Sequence, residues 1–141
     1  MAKSEQQNRK GFASLDAHIK KLRTLGEIPE RVAPKVAVSA KQEISRNASQ
    51  QRGPDGRPWP KGKKGQAVLV GAGNAVRASA VGSVVVLSLD GHYARHHLGA
   101  VKGKTKREIL PNKRIPQTMT RAITRVVTGE FFAIMGPDTR K

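Results

Sequence analysis

Residues 83–89 read Ser-Val-Val-Val-Leu-Ser-Leu, and this short stretch does most to decide the fold. Three consecutive valines favour an extended strand, because branching at Cβ suits a pleated surface. Gly82 on one side and Asp90-Gly91 on the other are typical of strand ends. Residues 74–81, just before, are ambiguous between a short helix and a second strand. The stretch therefore places a small sheet in the middle of the chain.

Helical patterns lie on both sides of this strand. Apolar residues spaced three and four apart predict an N-terminal amphipathic helix that begins at Phe12 and ends near Gly26. A second helix is predicted from about Ala33 to 51, because Pro34 fits only the first turn of a helix. Residues 92–98 predict a helical turn closed by Gly99, and residues 117–135 predict a C-terminal amphipathic helix.

Together these elements predict an α+β protein. We expect N-terminal and C-terminal amphipathic helices packed on a small antiparallel sheet, with long basic loops. The 141 residues suffice for one domain, which we place at 12–135, between a flexible basic N-terminal arm (1–11) and a C-terminal tail (136–141). Without cysteine, disulfides, thiolate zinc sites and cysteine nucleophiles are excluded. No apolar run is long enough to span a bilayer, so no membrane association is expected.

The charge balance points to acidic partners. The chain has 27 Lys and Arg against 10 Asp and Glu, a formal net charge of +17, gathered at both ends and in one loop. Such an excess favours contact with nucleic acid or another polyanion. Two basic tips, residues 61–64 and 102–107, are expected to be mobile and to contact DNA phosphates or an acidic partner. Their basic residues are Lys61, Lys63, Lys64, Lys102, Lys104, Lys106 and Arg107.

The remaining candidates for chemistry are weak. His92, His96 and His97 could suggest a metal site, but Asp90 is the one carboxylate close by, which favours structural or interface histidines. Trp59 either stacks on a base or anchors its loop, and a lone aromatic residue favours the anchor. No paired carboxylates or complete phosphate-binding motif are present, so we expect a non-enzyme without metal or cofactor.

One combination of short motifs resembles a known family. After a long helix comes an acid-Gly-x-x-Trp turn, and after the strands comes a Tyr-Ala-x-x-His segment with a nearby glycine. The residues concerned are Asp55, Gly56, Trp59, Tyr93, Ala94, His97 and Gly99. Over about residues 32–132 this order and spacing resemble the phage virion morphogenesis family, which contains the tail-completion and neck proteins of tailed bacteriophages.

The resemblance implies a structural virion protein of the neck/tail junction, present in the virion and in the host cytoplasm during assembly. It implies a homo-oligomeric ring, with a hexamer expected, that contacts other neck, connector and tail-tube proteins. Phage DNA would pass through the lumen without being read by sequence. Which ring it forms (head closure, tail terminator or tail completion) stays open. The alternative is a small basic protein that binds nucleic acid without sequence specificity, and a nuclease is disfavoured because no acidic metal-binding cluster is present.

Overall fold

A computed structural model describes the backbone of residues 2–136 and, within it, the side chains of residues 5–7 and 9–136. Most of the expected C-terminal tail, residues 137–141, therefore lies outside the described part. The elements in chain order are α1 (Ala2–Gly26), α2 (Ile28–Ser49), a 3₁₀ helix (Ala72–Ala75), β1 (Val76–Val81), β2 (Val84–Leu89), α3 (Gly91–Leu98) and α4 (Gln117–Met135). The predicted α+β class is confirmed, as are the bounds of α4.

β1 and β2 form an antiparallel hairpin, which settles the ambiguity of residues 74–81 as a 3₁₀ turn followed by a strand. The register pairs Val76 with Leu89 and Val81 with Val84. Gly82 has a φ of 58° in the two-residue turn between them, a conformation that glycine adopts without steric cost. Alternate residues point inward, and Val76 is completely buried.

α2 lies at the centre, packed against both strands and against α4. The predicted start near Ala33 was wrong, because the helix begins at Ile28 and passes through Pro34. Pro29 occupies the first turn, where its missing N–H costs nothing. Pro34 is exposed and removes one backbone hydrogen bond from the helix. Burial of the apolar face of α2 offsets the free energy lost with that bond. That buried face consists of Val32, Ala33, Val36, Ala37, Ala40, Ile44 and Ala48.

α1 also begins earlier than predicted, at Ala2 instead of Phe12, so the described part of the expected arm is helical. The reason is that residues 2–10 are mostly good helix formers. Only Thr24 and Leu25 of its described side chains are half-buried, and the others are exposed. Its apolar face, the α1 stripe, is therefore uncovered in the monomer. The stripe consists of Phe12, Leu15, Ile19 and Leu22.

The core lies between α2, the hairpin and two irregular segments. Ile44, Val76 and Ile109 are its largest fully buried side chains, joined by Trp59 from the loop after α2 and Met119 from α4. Because Trp59 and Ile109 lie in loops, these loops contribute core residues, and their packing positions the basic tips next to them.

In the described residues, no helix has an apolar stretch long enough to cross a membrane.

Candidate functional site

The turn at residues 53–59 has the form that the sequence predicted. Gly56 adopts a φ of 80°, and its backbone N–H donates to the carbonyl of Gly53 at 3.0 Å. The Asp55 carboxylate accepts a hydrogen bond from the backbone N–H of Arg57 at 3.1 Å. An Asp followed by a glycine with positive φ is a stable reversal, so the turn directs the following residues back toward α2.

Trp59 is buried, with 7% of its surface exposed. Its indole Nε1–H donates to the backbone carbonyl of Glu108 at 2.9 Å. A buried indole with its N–H satisfied has no free face for a base, so the position agrees with the anchor interpretation and excludes stacking. Trp59 joins the loop after α2 to residues nearly fifty positions away.

Like Trp59, side chains of α3 form hydrogen bonds to the backbone of distant segments. The Tyr93 hydroxyl donates to the carbonyl of Val70 at 2.9 Å, and Nδ1 of His97 accepts from the backbone N–H of Ile109 at 3.0 Å. Ala94 is half-buried, and Gly99 ends the helix with a φ of 75°. Burial, assisted by Lys106 and opposed by Glu108, holds the pKa of His97 below its ordinary value. The motif residues of α3 therefore have structural contacts.

Residues 107–109 connect these two motifs, a role that the sequence analysis missed. Glu108 accepts from Trp59, Ile109 donates to His97, and the backbone N–H of Arg107 donates to the carbonyl of His96 at 3.3 Å. The isolated apolar Ile109-Leu110 pair, set in a polar, proline-bracketed segment, was the signal in the sequence.

Arg107 corrects one prediction. It was expected at an exposed tip, but it is 7% exposed. Its Nε and Nη2 atoms donate to the carbonyl of Pro60 at 3.0 and 2.9 Å, and Nη1 donates to the carbonyl of Thr105 at 3.2 Å. A guanidinium can be buried when backbone carbonyls satisfy its N–H groups, and here those carbonyls tie the two basic tips together.

The two tips and α3 line a groove of about 500 Å³, which we call the basic groove. Its lining includes no Asp or Glu among the described residues. The titratable side chains that line it are Lys61, Lys63, His92, Tyr93, His96, Lys104 and Arg107. The other predicted contact residues, Lys64, Lys102 and Lys106, are exposed outside it, and Lys106 pairs with Glu108 at 3.3 Å.

The first tip is a hydrogen-bonded turn. The backbone N–H of Gly62 donates to the carbonyl of Gln66 at 3.1 Å, and the N–H of Lys64 donates to the side-chain oxygen of Gln66 at 2.9 Å. These bonds give the tip a defined shape with its lysine side chains exposed. Mobility of the tips stays a prediction.

His96 is the most unusual group in the basic groove. Its Nδ1 is buried and has no hydrogen-bond partner among the described residues. Burial, followed by repulsion from His92, Arg107 and Lys104, lowers the pKa of His96 below its ordinary value. The His92 and His96 rings meet edge to face with centroids 5.3 Å apart. A site with converging positive groups and an unpaired donor or acceptor is suited to an anion.

The described residues contain no comparable site for a metal. Within residues 2–136 no cluster of three His, Cys, Asp or Glu side chains is close enough to hold an ion. Asp90, the carboxylate nearest to the histidines in sequence, pairs instead with Arg77 at 3.2 Å. In comparisons with known proteins, no family model, curated protein or solved structure matches this chain.

Proposed function

We propose that the chain is a non-catalytic structural protein of a bacteriophage neck/tail junction that assembles into a ring around the DNA channel. The motif order around Trp59 and Tyr93 supports the family. The observation that carries the proposal of self-assembly is the α1 stripe, in which Phe12 is 72% and Leu22 62% exposed. A row of large apolar side chains on an uncovered helix is typical of a surface that another subunit covers.

α4 offers an exposed groove that could receive this stripe. A shallow groove of about 650 Å³ runs along its outer face. Its lining is mostly apolar in area but includes two arginines, and Phe131 beside it is also exposed. The lining residues are Gln117, Thr120, Arg121, Thr124, Arg125, Thr128, Gly129 and Phe132. We propose that the α1 stripe of one copy lies in this groove of the next copy.

A contact between two different surfaces has consequences for symmetry. When the α1 stripe of each copy binds α4 of the next, the interface is heterologous, and repetition closes into a ring if the rotation divides a full turn. This matches the ring that the family resemblance implies, with a hexamer expected. Neighbouring neck, connector and tail-tube proteins would then stack on the faces of the ring.

The test is a measurement of assembly. Native mass spectrometry and negative-stain imaging of the full chain should give closed rings of one subunit number. Leu15→Lys with Ile19→Lys should give monomers, because two ammonium groups would lie in the α4 groove beside the like charges of Arg121 and Arg125. Ala13→Lys with Ala17→Lys, on the opposite face of the same helix, adds equal charge at equal spacing and should leave the rings intact. A wild-type chain that stays monomeric at assembly concentrations contradicts the proposal.

A second candidate is a small basic protein that binds nucleic acid without sequence specificity as a monomer or dimer. The basic groove is the observation that favours it, because several cations line it and no carboxylate does. The two candidates predict particles of different size, a ring for the first and a monomer or dimer for the second. Tight, salt-dependent DNA binding by a monomer, with no ring at any concentration, selects the second candidate over the first.

A further inference from the structure

We infer that the basic groove is an oxyanion site that holds a phosphodiester of the DNA backbone, with His96 and His92 beside the phosphate and Lys61, Lys63 and Lys104 around it. The inference rests on the proposed function in that it takes DNA as the polyanion. It goes further by assigning the contact to one groove and by giving the histidines of α3 a part in binding.

Uncompensated charge is the first ground. Arg107 is buried, and in the described residues its guanidinium is bonded to carbonyl oxygens and to no carboxylate. Buried cations are ordinarily paired with an anion, because removing a charge from water is costly. Lys61, Lys63 and Lys104 share the same groove and have no ion-pair partner among the described residues. An anion in the groove would offset part of this positive charge.

The unpaired nitrogen of His96 is the second ground. A buried polar atom without a partner is costly, so such atoms usually have a role. If an oxyanion in the groove bonds the His96 ring, protonation of the ring supplies a charge-assisted hydrogen bond. His92, packed edge to face on His96 at 5.3 Å, is placed to donate beside it.

The form of the groove favours a backbone phosphate over a base or an acidic side chain. Trp59 is buried and offers no face to a base, and the Tyr93 ring is half-buried with its hydroxyl bonded to the carbonyl of Val70. The positive side chains are spread around an open groove of about 500 Å³, which suits one charge of an extended polyanion better than a single carboxylate. A phosphodiester in a continuous strand fits such a groove, and contacts to phosphate carry no sequence information.

The arrangement makes binding depend on pH. Facing His96 are His92 on α3, Lys104 and Arg107 on the second tip, and Lys61 and Lys63 on the first tip. In the free protein, burial and then repulsion from His92, Arg107 and Lys104 hold the pKa of His96 below its ordinary value, so the neutral ring predominates at pH 7. A bound phosphate favours the protonated ring. Because binding then takes up a proton, affinity should rise as the pH falls from 8 to 6.

The experiment uses fluorescence anisotropy of the full chain with two unrelated 20-base-pair duplexes over a range of salt concentrations. Lys61→Gln, Lys63→Gln and Lys104→Gln together should reduce the slope of log affinity against log salt by about 0.9, the value for one lost phosphate contact. The matched control is Lys64→Gln, Lys102→Gln and Lys113→Gln, three exposed lysines outside the groove, which removes the same charge. An equal loss from both triple variants overturns the site, because diffuse charge would then explain binding.

His96→Gln should reduce the rise in affinity between pH 8 and pH 6 at fixed salt, and an undiminished rise in a folded variant overturns the part given to His96. If that variant does not fold, the wild-type His96 imidazole is followed by NMR with inorganic phosphate and then with duplex DNA. A raised pKa with DNA supports the inference, and an unmoved pKa overturns it. Polyglutamate that displaces the duplex at equal charge concentration identifies an acidic protein as the occupant and also overturns it. Native mass spectrometry of the same variants reports ring assembly separately, so failure of this site is distinguishable from failure of the proposed ring.

Discussion

At the scale of single residues, His97 illustrates how one imidazole is fixed in a defined protonation state. Its Nδ1 accepts the backbone N–H of Ile109, so that nitrogen must carry no proton in the folded protein. Adding the proton breaks the bond and leaves the N–H of a fully buried residue without a partner. The hydrogen bond and the lowered pKa therefore both indicate that the neutral form of the His97 ring is favoured in the folded protein.

The prediction for His97 concerns stability and pH. His97→Ala should lower the free energy of unfolding by about 1–3 kcal/mol, the cost of an unsatisfied buried N–H. Because the folded pKa lies below the ordinary 6.5, the unfolded chain binds the proton first. Wild-type stability should therefore fall as the pH drops below about 6.5, and level off below the folded pKa.

Urea unfolding at several pH values measures this pH dependence of the free energy of unfolding. The measurement is made in a His96→Gln background, because the pKa of His96 is also lowered and would add a similar pH dependence. His97→Asn is the control, since it keeps an acceptor without a titratable ring. Its stability should lie between wild type and alanine and vary less between pH 7 and pH 5. Equal pH dependence in the asparagine variant and in the His96→Gln parent contradicts the assignment.

Trp59 carries the second prediction at this scale. Trp59→Ala should destabilise the protein by roughly 3–5 kcal/mol, because it leaves a cavity in the core and an unpaired carbonyl at Glu108. Trp59→Phe should cost less, since it keeps most of the packing and loses the 2.9 Å hydrogen bond. Trp59 is the sole tryptophan, so its fluorescence reports the site directly. Emission typical of a fully hydrated indole in the folded protein contradicts the burial.

At the scale of elements, the 3₁₀ turn and α2 meet at an unusually close contact. A Cβ placed on Gly73 would lie 2.8 Å from the backbone carbonyl oxygen of Ser45, and the Ser45 hydroxyl already donates to the carbonyl of Gly73 at 2.8 Å. Gly73→Ala should cost about 1–3 kcal/mol, because neither backbone can move without shifting the hairpin. Gly91→Ala, where a Cβ meets nothing within 4 Å, should be nearly neutral. Thermal unfolding compares the two, and equal melting temperatures contradict the close contact.

α2 and α4 are joined by an ionic cluster that contributes to the loss of folding stability at acid pH. The buried carboxylate of Glu130 accepts from Lys35 at 2.7 Å and from Arg31 at 2.8 Å. The Lys35 hydrogen bond is the main cause that lowers the pKa of Glu130 below its usual value. The folded pKa is depressed, so the contribution is present above about pH 4.5 and lost as the pH falls through the folded pKa.

Glu130→Gln should therefore lower the melting temperature at pH 7 and flatten its decline below pH 4.5. The measurement is calorimetry from pH 7 to pH 3. The matched control is Glu43→Gln, which removes the carboxylate paired with Arg46 one turn along α2 and away from α4. The same loss in both variants shows that net charge, and not the link between the helices, is responsible.

Elements with a strong local pattern were predictable from the sequence. The valines of β2 and the apolar period of α4 fix those elements because local preference and packing agree. The starts of α1 and α2 were not predictable. Residues 2–10 favour a helix by composition, but they lack the apolar spacing that would have revealed it. Pro34 normally disfavours a helix interior, and α2 continues through it because the packing of its apolar face stabilises the helix.

At the scale of the whole molecule, the candidate site was only partly predictable. The sequence marked the basic residues, but a groove that joins residues 61–63, 92–96 and 104–107 depends on how three distant segments pack. Arg107 was assigned to the wrong role because a basic run carries no sign of which member is buried. That information lies in the carbonyl of Pro60, which belongs to another loop.

The last prediction separates assembly from DNA binding. Deleting residues 1–26 removes α1, of which Thr24 and Leu25 are the only described side chains that are even half-buried, so the rest should stay folded with a loss of about 1–2 kcal/mol. The truncated chain should be monomeric and keep the pH-dependent DNA binding of the basic groove. The groove triple variant should show the opposite result, with intact rings and a reduced salt slope. Native mass spectrometry and anisotropy on both chains measure the two properties, and circular dichroism checks folding. If either change abolishes both properties in a folded chain, assembly and DNA contact share one surface, and the division of roles between α1 and the groove is wrong.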